Sequence, residues 1–270
     1  MERDSSAQPL LSVVTICYNA EKTIGNTIQS VISQGFDDYE YIIIDGASTD
    51  GTLKILNQYA DKNPKMKVFS EKDSGISDAF NKGIMKSKGI LIGLLNADDS
   101  YCRGALTAIA DKYNATEADI IYGDAVIVDE KNGIKTLKKA KPLSRLDYEL
   151  PFIHQSCFVS KQAYQKYGLY DTSYKICMDY DCLARMRGVK FAYAEAPISQ
   201  FAYGGTSCEH PFKTINEDVE IARKYGLSQI KAFSYKAKMY TRNAIKLALI
   251  KIGLWGKIYN LKLLYFNKKS

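Results

Sequence analysis

The sequence predicts an α/β fold, in which helices flank a mostly parallel sheet and a basic helical tail ends the chain. Three observations predict it. Short β-branched runs alternate with segments of helical spacing up to about residue 95, and the links between them are short. Polar residues directly follow four of these runs, at positions where neighbouring strands of a parallel sheet end together. With 270 residues, 46% of them hydrophobic, the chain can bury one large core.

The first half of the chain supplies the alternation. Continuous apolar runs predict strands at Leu10–Ile16, Tyr39–Asp45, 65–71 and Ile90–Leu95. Apolar residues recurring every three or four positions predict three helices between them, marked by Ile24, Ile28, Val31 and Ile32, by Leu53, Leu56 and Tyr59, and by Ile76, Phe80 and Ile84. Strands and helices alternating in this way predict a sheet that is covered on both faces.

The second half is less regular. Residues 120–130 predict short strands, residues 152–161 another strand, and Met178–Arg187 a helix. Residues 190–203 predict two short extended pieces around Pro197. We therefore divide the chain into an extension (1–9), a domain (10–227) with a nucleotide-binding half (10–114) and an acceptor half (115–227), and a basic helical tail (228–270).

The four polar strand ends are the strongest functional indication. The strands are followed by TICYNAE (15–21), DGASTDGT (45–52), EKDSG (71–75) and NADD (96–99). Ligands of such sheets bind beyond the carboxyl ends of the strands. Four converging segments argue for a site more strongly than any one motif does.

Two adjacent carboxylates, Asp98 and Asp99, follow a predicted apolar strand. They repel each other unless a positive group is present. Adjacent residues of an extended backbone point to opposite sides, which predicts different partners, one a divalent cation and the other a sugar hydroxyl. The alternative is a solvated turn or a helix cap. Asp45 is suited to accept the imino proton of a nucleobase, while Ser48 to Asp50 also fit a cap of the next helix.

Several function classes are disfavoured. The glycine patterns G-x-G-x-x-G and G-x-x-x-x-G-K-[ST] are absent, which argues against a dinucleotide-binding dehydrogenase and a P-loop NTPase. The six cysteines form no C-x-x-C pair and there are only two histidines, so we expect reduced thiols and no zinc cluster. The polar N-terminus predicts no signal peptide.

The motifs together resemble family 2 glycosyltransferases, which have the nucleotide-sugar-binding GT-A fold. The resemblance covers residues 10–207 and is closest to the bacterial branch that builds O-antigen, capsule and related surface polysaccharides. It is carried by SVVTICYNAEKTIGNTIQSVISQ, YEYIIIDGASTDGT, EKDSGISDAFNKGI, GLLNADD and HQSCFVSK…YGLYDTSYKICMDYDCLARM. The resemblance implies an inverting transfer of a sugar from a nucleotide diphosphate donor, with Mn²⁺ or Mg²⁺ as the cofactor.

The resemblance also implies roles for individual residues. Asp179 corresponds to the catalytic base, although Met178 stands where the family usually has Glu, and Asp181 is the less favoured base because it faces elsewhere on a helix. Asp98 is expected to face the ribose or sugar and Asp99 to hold the metal. His154 and Gln155 are expected on the acceptor or leaving-group side. The nucleotide-sugar-binding residues are completed by Thr15, Tyr18, Glu21, Asp45 and Asp73.

The charge of the chain is divided unevenly. All thirty acidic residues lie at or before Glu220, whereas twelve of the 37 basic residues follow it. No stretch of the tail is long and apolar enough to span a bilayer. The tail combines spaced basic and aromatic residues, which predicts contact with an anionic membrane surface, and its alternative is packing on the domain or in a homodimer. The basic and aromatic residues are Lys246, Lys251, Lys257, Lys262, Trp255, Tyr259, Tyr265 and Phe266.

These features predict a cytoplasmic enzyme that is peripheral on the inner face of the plasma membrane. Its expected acceptor is a glycan that is linked to a lipid at that surface. Nucleic acid is not expected as a partner. One alternative is a nucleotidyltransferase of sugar metabolism, which normally has a loop rich in glycine and basic residues after its first strand. The other is an inactive nucleotide-sugar-binding protein, which is expected to lose Asp99 or Asp179. The sequence does not identify the sugar, the nucleobase or the linkage.

Overall fold

The fold is known from a computed structural model that describes residues 8–129, 133–202 and 210–252. Cys208 and the aromatic residues of the tail from Trp255 onward lie outside the described residues, as does most of the predicted extension. One sheet runs through the domain. Its nine strands are β1 Leu11–Cys17, β2 Tyr39–Asp45, β3 Met66–Ser70, β4 Leu91–Asn96, β5 Ser100–Tyr101, β6 Ile120–Asp129, β7 Ile134–Lys138, β8 Cys157–Ser160 and β9 Phe191–Ala202.

The sheet is mostly parallel and mixed at one side, which confirms the predicted α/β class. The strand order is β3-β2-β1-β4-β8-β6-β9-β5, and β7 pairs with β6. β1 to β4 pair in parallel, with Val14 between Ile42 and Leu94. β8 runs antiparallel to both β4 and β6 and so joins the two predicted halves in one sheet. Their predicted boundary at residue 114 falls inside a helix.

The helices cover both faces of this sheet. They are α1 Ile24–Ile32, α2 Thr52–Ala60, α3 Ile76–Lys86, α4 Ala105–Thr116, α5 Lys161–Tyr167, α6 Met178–Arg185, α7 Pro211–Lys224 and α8 Gln229–Lys251. Alternate residues of each strand enter opposite cores. Val13 packs in the core that holds Ile28 of α1 and Ile109 of α4, whereas Val14 packs with Phe80 of α3. The continuous apolar strands follow from burial on both sides.

Several elements differ from the sequence prediction. The short strands expected over residues 120–130 form one strand, β6, and β5, β7, α5 and α7 were not predicted. The strand expected over residues 152–161 is limited to β8, because His154–Ser156 form a 3-10 turn in which Ser156 N–H donates to Ile153 O. The pieces expected around Pro197 form one strand, β9, since a shift in its register with β6 accommodates the proline without ending the pairing. Helix α4 was not predicted, although Leu106 and Ile109 carry its spacing.

The tail begins as predicted with a helix. α8 packs its first half on α7, through the Phe212 and Tyr240 rings and a hydrogen bond from Tyr240 Oη to Asn216 Oδ1 of 3.0 Å. The opposite face of α8 is exposed. Among the described residues, no helix combines the length and apolar character that crossing a membrane requires.

Candidate active site

A cavity of about 820 Å³ opens beside the carboxyl ends of β1 and β4 and beside the segment that follows β3. This volume lies in the range of pockets that enclose small organic ligands. The cavity brings together six of the residues selected from the sequence. They are Tyr18, Asp73, Asp98, His154, Gln155 and Asp179. Thr15, Glu21, Asp45 and Asp99 are not among its lining residues.

Tyr18 and Asp73, two of the residues selected from the sequence, meet across Gly46. A Cβ atom at Gly46 would lie 2.6 Å from Asp73 Oδ2 and 3.4 Å from the Tyr18 ring, so a larger residue there displaces one of them. Asp73 Oδ1 accepts a hydrogen bond of 2.9 Å from Gly75 N–H, at the start of α3. The Tyr18 ring is 62% exposed at the mouth of the cavity. A ring of this kind is available to stack on a flat ligand.

Thr15 and Asp45 are fully buried and bonded within the protein. Thr15 Oγ1 lies 3.0 Å from Tyr41 Oη, inside the sheet. Asp45 accepts from Ser48 N–H at 3.0 Å, from Ser70 Oγ at 2.6 Å and from the Ser48 hydroxyl. In this arrangement Asp45 shapes the loop after β2, and contact with a nucleobase requires exchange of one of these bonds.

Glu21 joins two of the strand-end loops. Its carboxylate accepts from Gly51 N–H at 2.8 Å, and Asp50 accepts from Glu21 N–H in return. Asp50 also accepts from Thr52 N–H at 2.9 Å at the start of α2, which is the predicted capping role. Glu21 therefore acts on the cavity through loop geometry, since it is not itself a lining residue.

The acidic pair is divided between surface and interior. Asp98 is exposed in the cavity, whereas Asp99 is 2% exposed. Asp99 Oδ1 accepts from Ala202 N–H at 3.0 Å and Oδ2 from Asn96 Nδ2 at 3.2 Å, and Gln155 also donates to this carboxylate. Burial, and secondly repulsion by Asp98, raises the pKa of Asp99 to about 7. The extended backbone expected here is wrong, because Asp99 N–H donates to Asn96 O at 3.2 Å and closes a turn over Ala97 and Asp98. The turn leaves Asp98 at the surface and Asp99 in the interior.

The pair fits a divalent cation held together with ligand phosphates. No group of three or more His, Cys, Asp or Glu residues that suits a metal occurs in the described part of the chain. No Lys or Arg described by the structure forms an ion pair with Asp98 or Asp99. Mg²⁺ and Mn²⁺ commonly take one or two carboxylates and complete their coordination with phosphate oxygens and water. Asp98 reaches the cavity directly, and Asp99 reaches an ion only by exchanging a present bond.

Asp179 lies in the first turn of α6 and faces the same cavity. Its Oδ1 accepts from Tyr180 N–H at 2.8 Å. Burial raises the pKa of Asp179 above the ordinary value, the Glu217 charge adds to the increase, and His154 opposes it. A carboxylate with a raised pKa is a better proton acceptor at neutral pH than an ordinary aspartate.

His154 and Gln155 line the cavity from the 3-10 turn before β8. His154 Nε2 and Tyr170 Oη share a hydrogen bond of 2.6 Å, and the imidazole edge packs on Phe80. Burial lowers the pKa of His154, although attraction to Asp179 opposes the change. Gln155 donates to Asp99. Gln155 thus connects the acidic pair with the 3-10 turn that positions His154.

Asp181, two residues from Asp179, is directed away from the cavity. Its carboxylate is fully buried and accepts from Lys224 Nζ at 2.8 Å and from Tyr225 Oη at 3.0 Å. Arg185 Nε lies 3.2 Å from Asp181 Oδ2 and forms an ion pair with it. Asp181 therefore fastens α6 to α7.

A second pair of carboxylates, Glu217 and Asp218 of α7, adjoins the site and was not predicted from the sequence. Asp218 lines the cavity, and its pKa is raised to about 7 by burial and then by the Asp179 charge, against the effect of its hydrogen bond with Cys177. In the sequence, NEDVE has the composition of a solvated helix face. Only the packing of α7 on α6 shows that these acids adjoin the site.

Comparison with known proteins gives a consistent result. Residues 12–173 match the family model described as glycosyl transferase family 2. The chain is 26% identical over 259 residues to a PGL/p-HBAD biosynthesis glycosyltransferase of Mycobacterium bovis, covering 93% of each protein. It is 33% identical over 105 residues to the chondroitin synthase of Escherichia coli, covering 39% of this chain and 15% of that protein.

Among solved structures, the fold resembles that of a mannosyltransferase from Pyrobaculum calidifontis in complex with GDP-Man and Mn²⁺. The TM-score is 0.61 at 14% identity, and the match covers 96% of this chain and 81% of the other. At this identity the likeness concerns the fold, which is the nucleotide-sugar-binding type that the sequence motifs imply.

Proposed function

Since the chain belongs to glycosyl transferase family 2, we propose that it transfers a sugar from a nucleotide diphosphate donor to a glycan, with inversion at the anomeric carbon. One observation carries this proposal. A single cavity is lined by an acidic strand end and an exposed aromatic ring on one side, and by a carboxylate with a raised pKa on the other. A bound donor and an acceptor hydroxyl both fit between these groups.

The donor is expected to lie along the strand ends. Tyr18 stacks on the nucleobase and Asp73 accepts a hydroxyl or base hydrogen bond. Thr15, Glu21 and Asp45 support this side from within the protein, through the contacts that fix the loops. Asp98 contacts the ribose, sugar or metal, and Asp99 remains the proposed metal ligand, with one of its present bonds exchanged.

The transfer step needs one proton acceptor and one leaving group. The acceptor hydroxyl attacks the anomeric carbon, a new C–O bond forms, and its proton passes to the Asp179 carboxylate. The bond from the anomeric carbon to the diphosphate oxygen breaks, and the diphosphate leaves with the electron pair. In-line attack from the opposite side inverts the anomeric configuration. His154 and Gln155 orient the acceptor and leaving-group side.

A divalent ion, Mn²⁺ or Mg²⁺, supplies Lewis-acid stabilisation of the diphosphate when it is bound at Asp98 and Asp99. The protein contributes the two carboxylates, and burial gives the Asp99 carboxylate its raised pKa. The mannosyltransferase that shares the fold was solved with GDP-Man and Mn²⁺, which supports both the donor class and the metal.

The acceptor is proposed to be a glycan of surface polysaccharide biosynthesis, linked to a lipid at the cytoplasmic face of the membrane. The family resemblance and the polymer named in the chondroitin synthase support the acceptor class. The exposed face of α8 supports the membrane contact. Ile230, Phe233 and Ile245 of α8 and Ile252 directly after it are exposed, and the helix also carries the exposed Lys231 and Lys238.

Thermal unfolding in the presence of nucleotides tests the donor site. We expect UDP, GDP or dTDP to raise the melting temperature by several degrees in the presence of Mn²⁺, because a ligand at about 100 times its Kd adds about 2.7 kcal/mol to the free energy of unfolding. Asp98→Ala and Asp99→Ala are expected to abolish the Mn²⁺-dependent part. The exposed Asp61→Ala, at the end of α2, is the control that leaves it unchanged. Absence of a shift with all three nucleotides contradicts the proposed donor site.

A further inference from the structure

Glu217 of α7 is bonded to the segment that leads into α6. Its Oε2 accepts from Ile176 N–H at 3.0 Å and from Cys177 N–H at 2.9 Å. Cys177 is the residue directly before α6, and Asp179 is the second residue of that helix. One carboxylate oxygen thus holds two consecutive backbone groups, two and three residues ahead of the proposed base.

The start of α6 has no side-chain cap of its own. Cys177 occupies the capping position and makes no capping hydrogen bond. Ser, Thr, Asp and Asn are the residues that usually fix a helix start from this position. The Glu217 carboxylate therefore provides, from a different helix, an anchor that the local sequence lacks.

The anchor belongs to a rigid contact between two helices. Asp181 of α6 is paired with Lys224 of α7 at 2.8 Å, and Ile221 of α7 packs with Tyr180 and Ala184 of α6. Glu217 is bonded one turn before this packed region, on the side of the cavity. The two hydrogen bonds of Glu217 therefore link α7 directly to the backbone segment that leads to Asp179.

We propose that Glu217 is a positioning residue for Asp179, whose carboxylate holds residues 176 and 177 so that the base faces the anomeric centre. The inference rests on the proposed function, since it needs Asp179 to be the base. Glu217 touches no reacting atom in this assignment. It acts through the position of α6 and through its charge.

The charge acts together with other groups that face Asp179. These are His154 from the 3-10 turn, Cys157 of β8, Cys177 and Cys182 along α6, and Asp218 of α7. Glu217 and Asp218 are the two acidic members. The Glu217 charge disfavours ionisation of Asp179, and the Asp179 charge disfavours ionisation of Asp218. Loss of the Glu217 charge therefore lowers the pKa of Asp179. A base with a lower pKa stays active at lower pH.

The experiment compares four variants of the full chain by release of nucleoside diphosphate from UDP-GlcNAc and GDP-mannose with Mn²⁺, as a function of pH. Glu217→Gln keeps an oxygen that accepts the two N–H bonds but removes the charge, and Glu217→Ala removes both. Asp179→Asn tests the base itself. Glu220→Gln is the matched control, because Glu220 is exposed on the same helix.

The expected results differ between the two Glu217 variants. Glu217→Gln is expected to retain most of the wild-type kcat, with the acidic limb of its pH–rate profile moved to lower pH. Glu217→Ala is expected to lose about tenfold or more in kcat with donor KM nearly unchanged, because small displacements of a catalytic group are costly. Glu220→Gln is expected to match the wild type.

Other results overturn the inference and identify what failed. If both Glu217 variants lower only the melting temperature, with kcat and the acidic limb unmoved, Glu217 is structural and the positioning role is wrong. If Glu217→Ala does not fold, the positioning role is still rejected when the acidic limb of the Glu217→Gln pH–rate profile coincides with that of the wild type. If Asp179→Asn stays active, or if none of UDP, GDP and dTDP raises the melting temperature of the wild type, the proposed function fails and the inference fails with it.

Discussion

Asp99 Oδ1 accepts a hydrogen bond of 3.0 Å from the backbone N–H of Ala202, a residue 103 positions later in the chain. The bond ties the end of β4 to the end of β9, and thus the predicted nucleotide-binding half to the acceptor half. Within the first half, Thr27 of α1 holds the turn after β4, since its hydroxyl lies 2.8 Å from Ala97 O and 2.7 Å from Asp99 O. Asp99 is therefore held by both halves of the domain.

Tyr18 is expected to contribute to nucleotide affinity by stacking. Its ring is largely exposed in the cavity and close to the Gly46 loop. Stacking of a base on an aromatic side chain is worth about 1–3 kcal/mol, so Tyr18→Ala should weaken nucleotide binding by about 5- to 150-fold. Tyr18→Phe should bind nearly as the wild type, since stacking needs only the ring. Calorimetric titration with the preferred nucleoside diphosphate measures the difference, and equal Kd values for the Ala variant and the wild type contradict the placement.

Asp218 is expected to destabilise the folded protein at neutral and higher pH. Its pKa is raised to about 7 in the fold, so the folded state binds this proton more tightly than the unfolded state, and the free energy of unfolding falls as pH rises from about 4 to 7. Asp218→Asn removes this titration. Its free energy of unfolding should exceed that of the wild type at pH 8 by on the order of 1–3 kcal/mol, and by little at pH 4.

Urea unfolding at both pH values tests the Asp218 prediction. Glu220→Gln, which removes an exposed acid from the same helix, should show no such pH dependence. A difference between Asp218→Asn and the wild type that is equal at pH 4 and pH 8 would show that burial does not govern the titration of Asp218.

Gly83 is expected to be required for packing, despite lying inside helix α3. A Cβ atom there would be 2.2 Å from Val14 Cγ1 of β1. Gly→Ala in a helix usually stabilises by about 1 kcal/mol, but overpacking a core costs about 1–3 kcal/mol, so Gly83→Ala should be destabilising overall. Gly188→Ala, where nothing lies within 4 Å of the added atom, is the control. A rise in stability for Gly83→Ala would mean that α3 can move off the sheet.

The exposed face of α8 is expected to bind anionic membranes. Each basic residue near such a surface contributes about 1 kcal/mol, so Lys231→Gln with Lys238→Gln should weaken partitioning by about 30-fold. Phe233→Ser should weaken it further by removing an apolar side chain that is 74% exposed. Co-sedimentation with vesicles of phosphatidylcholine and phosphatidylglycerol measures binding, with pure phosphatidylcholine for comparison.

The matched control replaces two exposed lysines elsewhere, Lys54→Gln with Lys62→Gln. This variant should partition as the wild type. If it loses as much binding as the α8 variant, the attraction reflects general charge. If the wild type stays in solution but forms a dimer that Phe233→Ser disrupts, the exposed face is instead an interface between two copies.

The fold was largely predictable because its first half obeys simple local rules. Continuous apolar strands and helices of regular spacing placed β1 to β4 and α1 to α3 within a few residues. The second half resisted prediction for physical reasons. Pro197 suggests an interruption, but the register shift between β6 and β9 accommodates it, which depends on the partner strand and not on the local sequence.

The site was predictable in its strand ends and less so in its distant parts. Tyr18, Asp73 and Asp98 line the cavity because the carboxyl ends of parallel strands meet in space. His154, Gln155 and Asp179 lie in a 3-10 turn and a helix, and only the family resemblance indicated them. Thr15 and Asp45 do not reach the cavity, because they form hydrogen bonds with Tyr41 and Ser48 inside the protein. Alternation along a strand predicts the face on which a side chain lies, but not which polar groups bond each other. Glu217 and Asp218 escaped selection because their role arises from helix packing across about 40 positions of sequence.

The rate of nucleoside diphosphate release from a sugar nucleotide, compared between the wild type and Asp179→Asn, tests the central claim most directly. With UDP-GlcNAc and GDP-mannose as donors and Mn²⁺ present, we predict turnover of at least one donor by the wild type. Asp179→Asn should lower kcat by about 10²- to 10⁴-fold with nucleotide affinity nearly unchanged, because the proton acceptor is lost while the donor side is intact. Wild-type turnover in Asp179→Asn would contradict the assignment of Asp179 as the base.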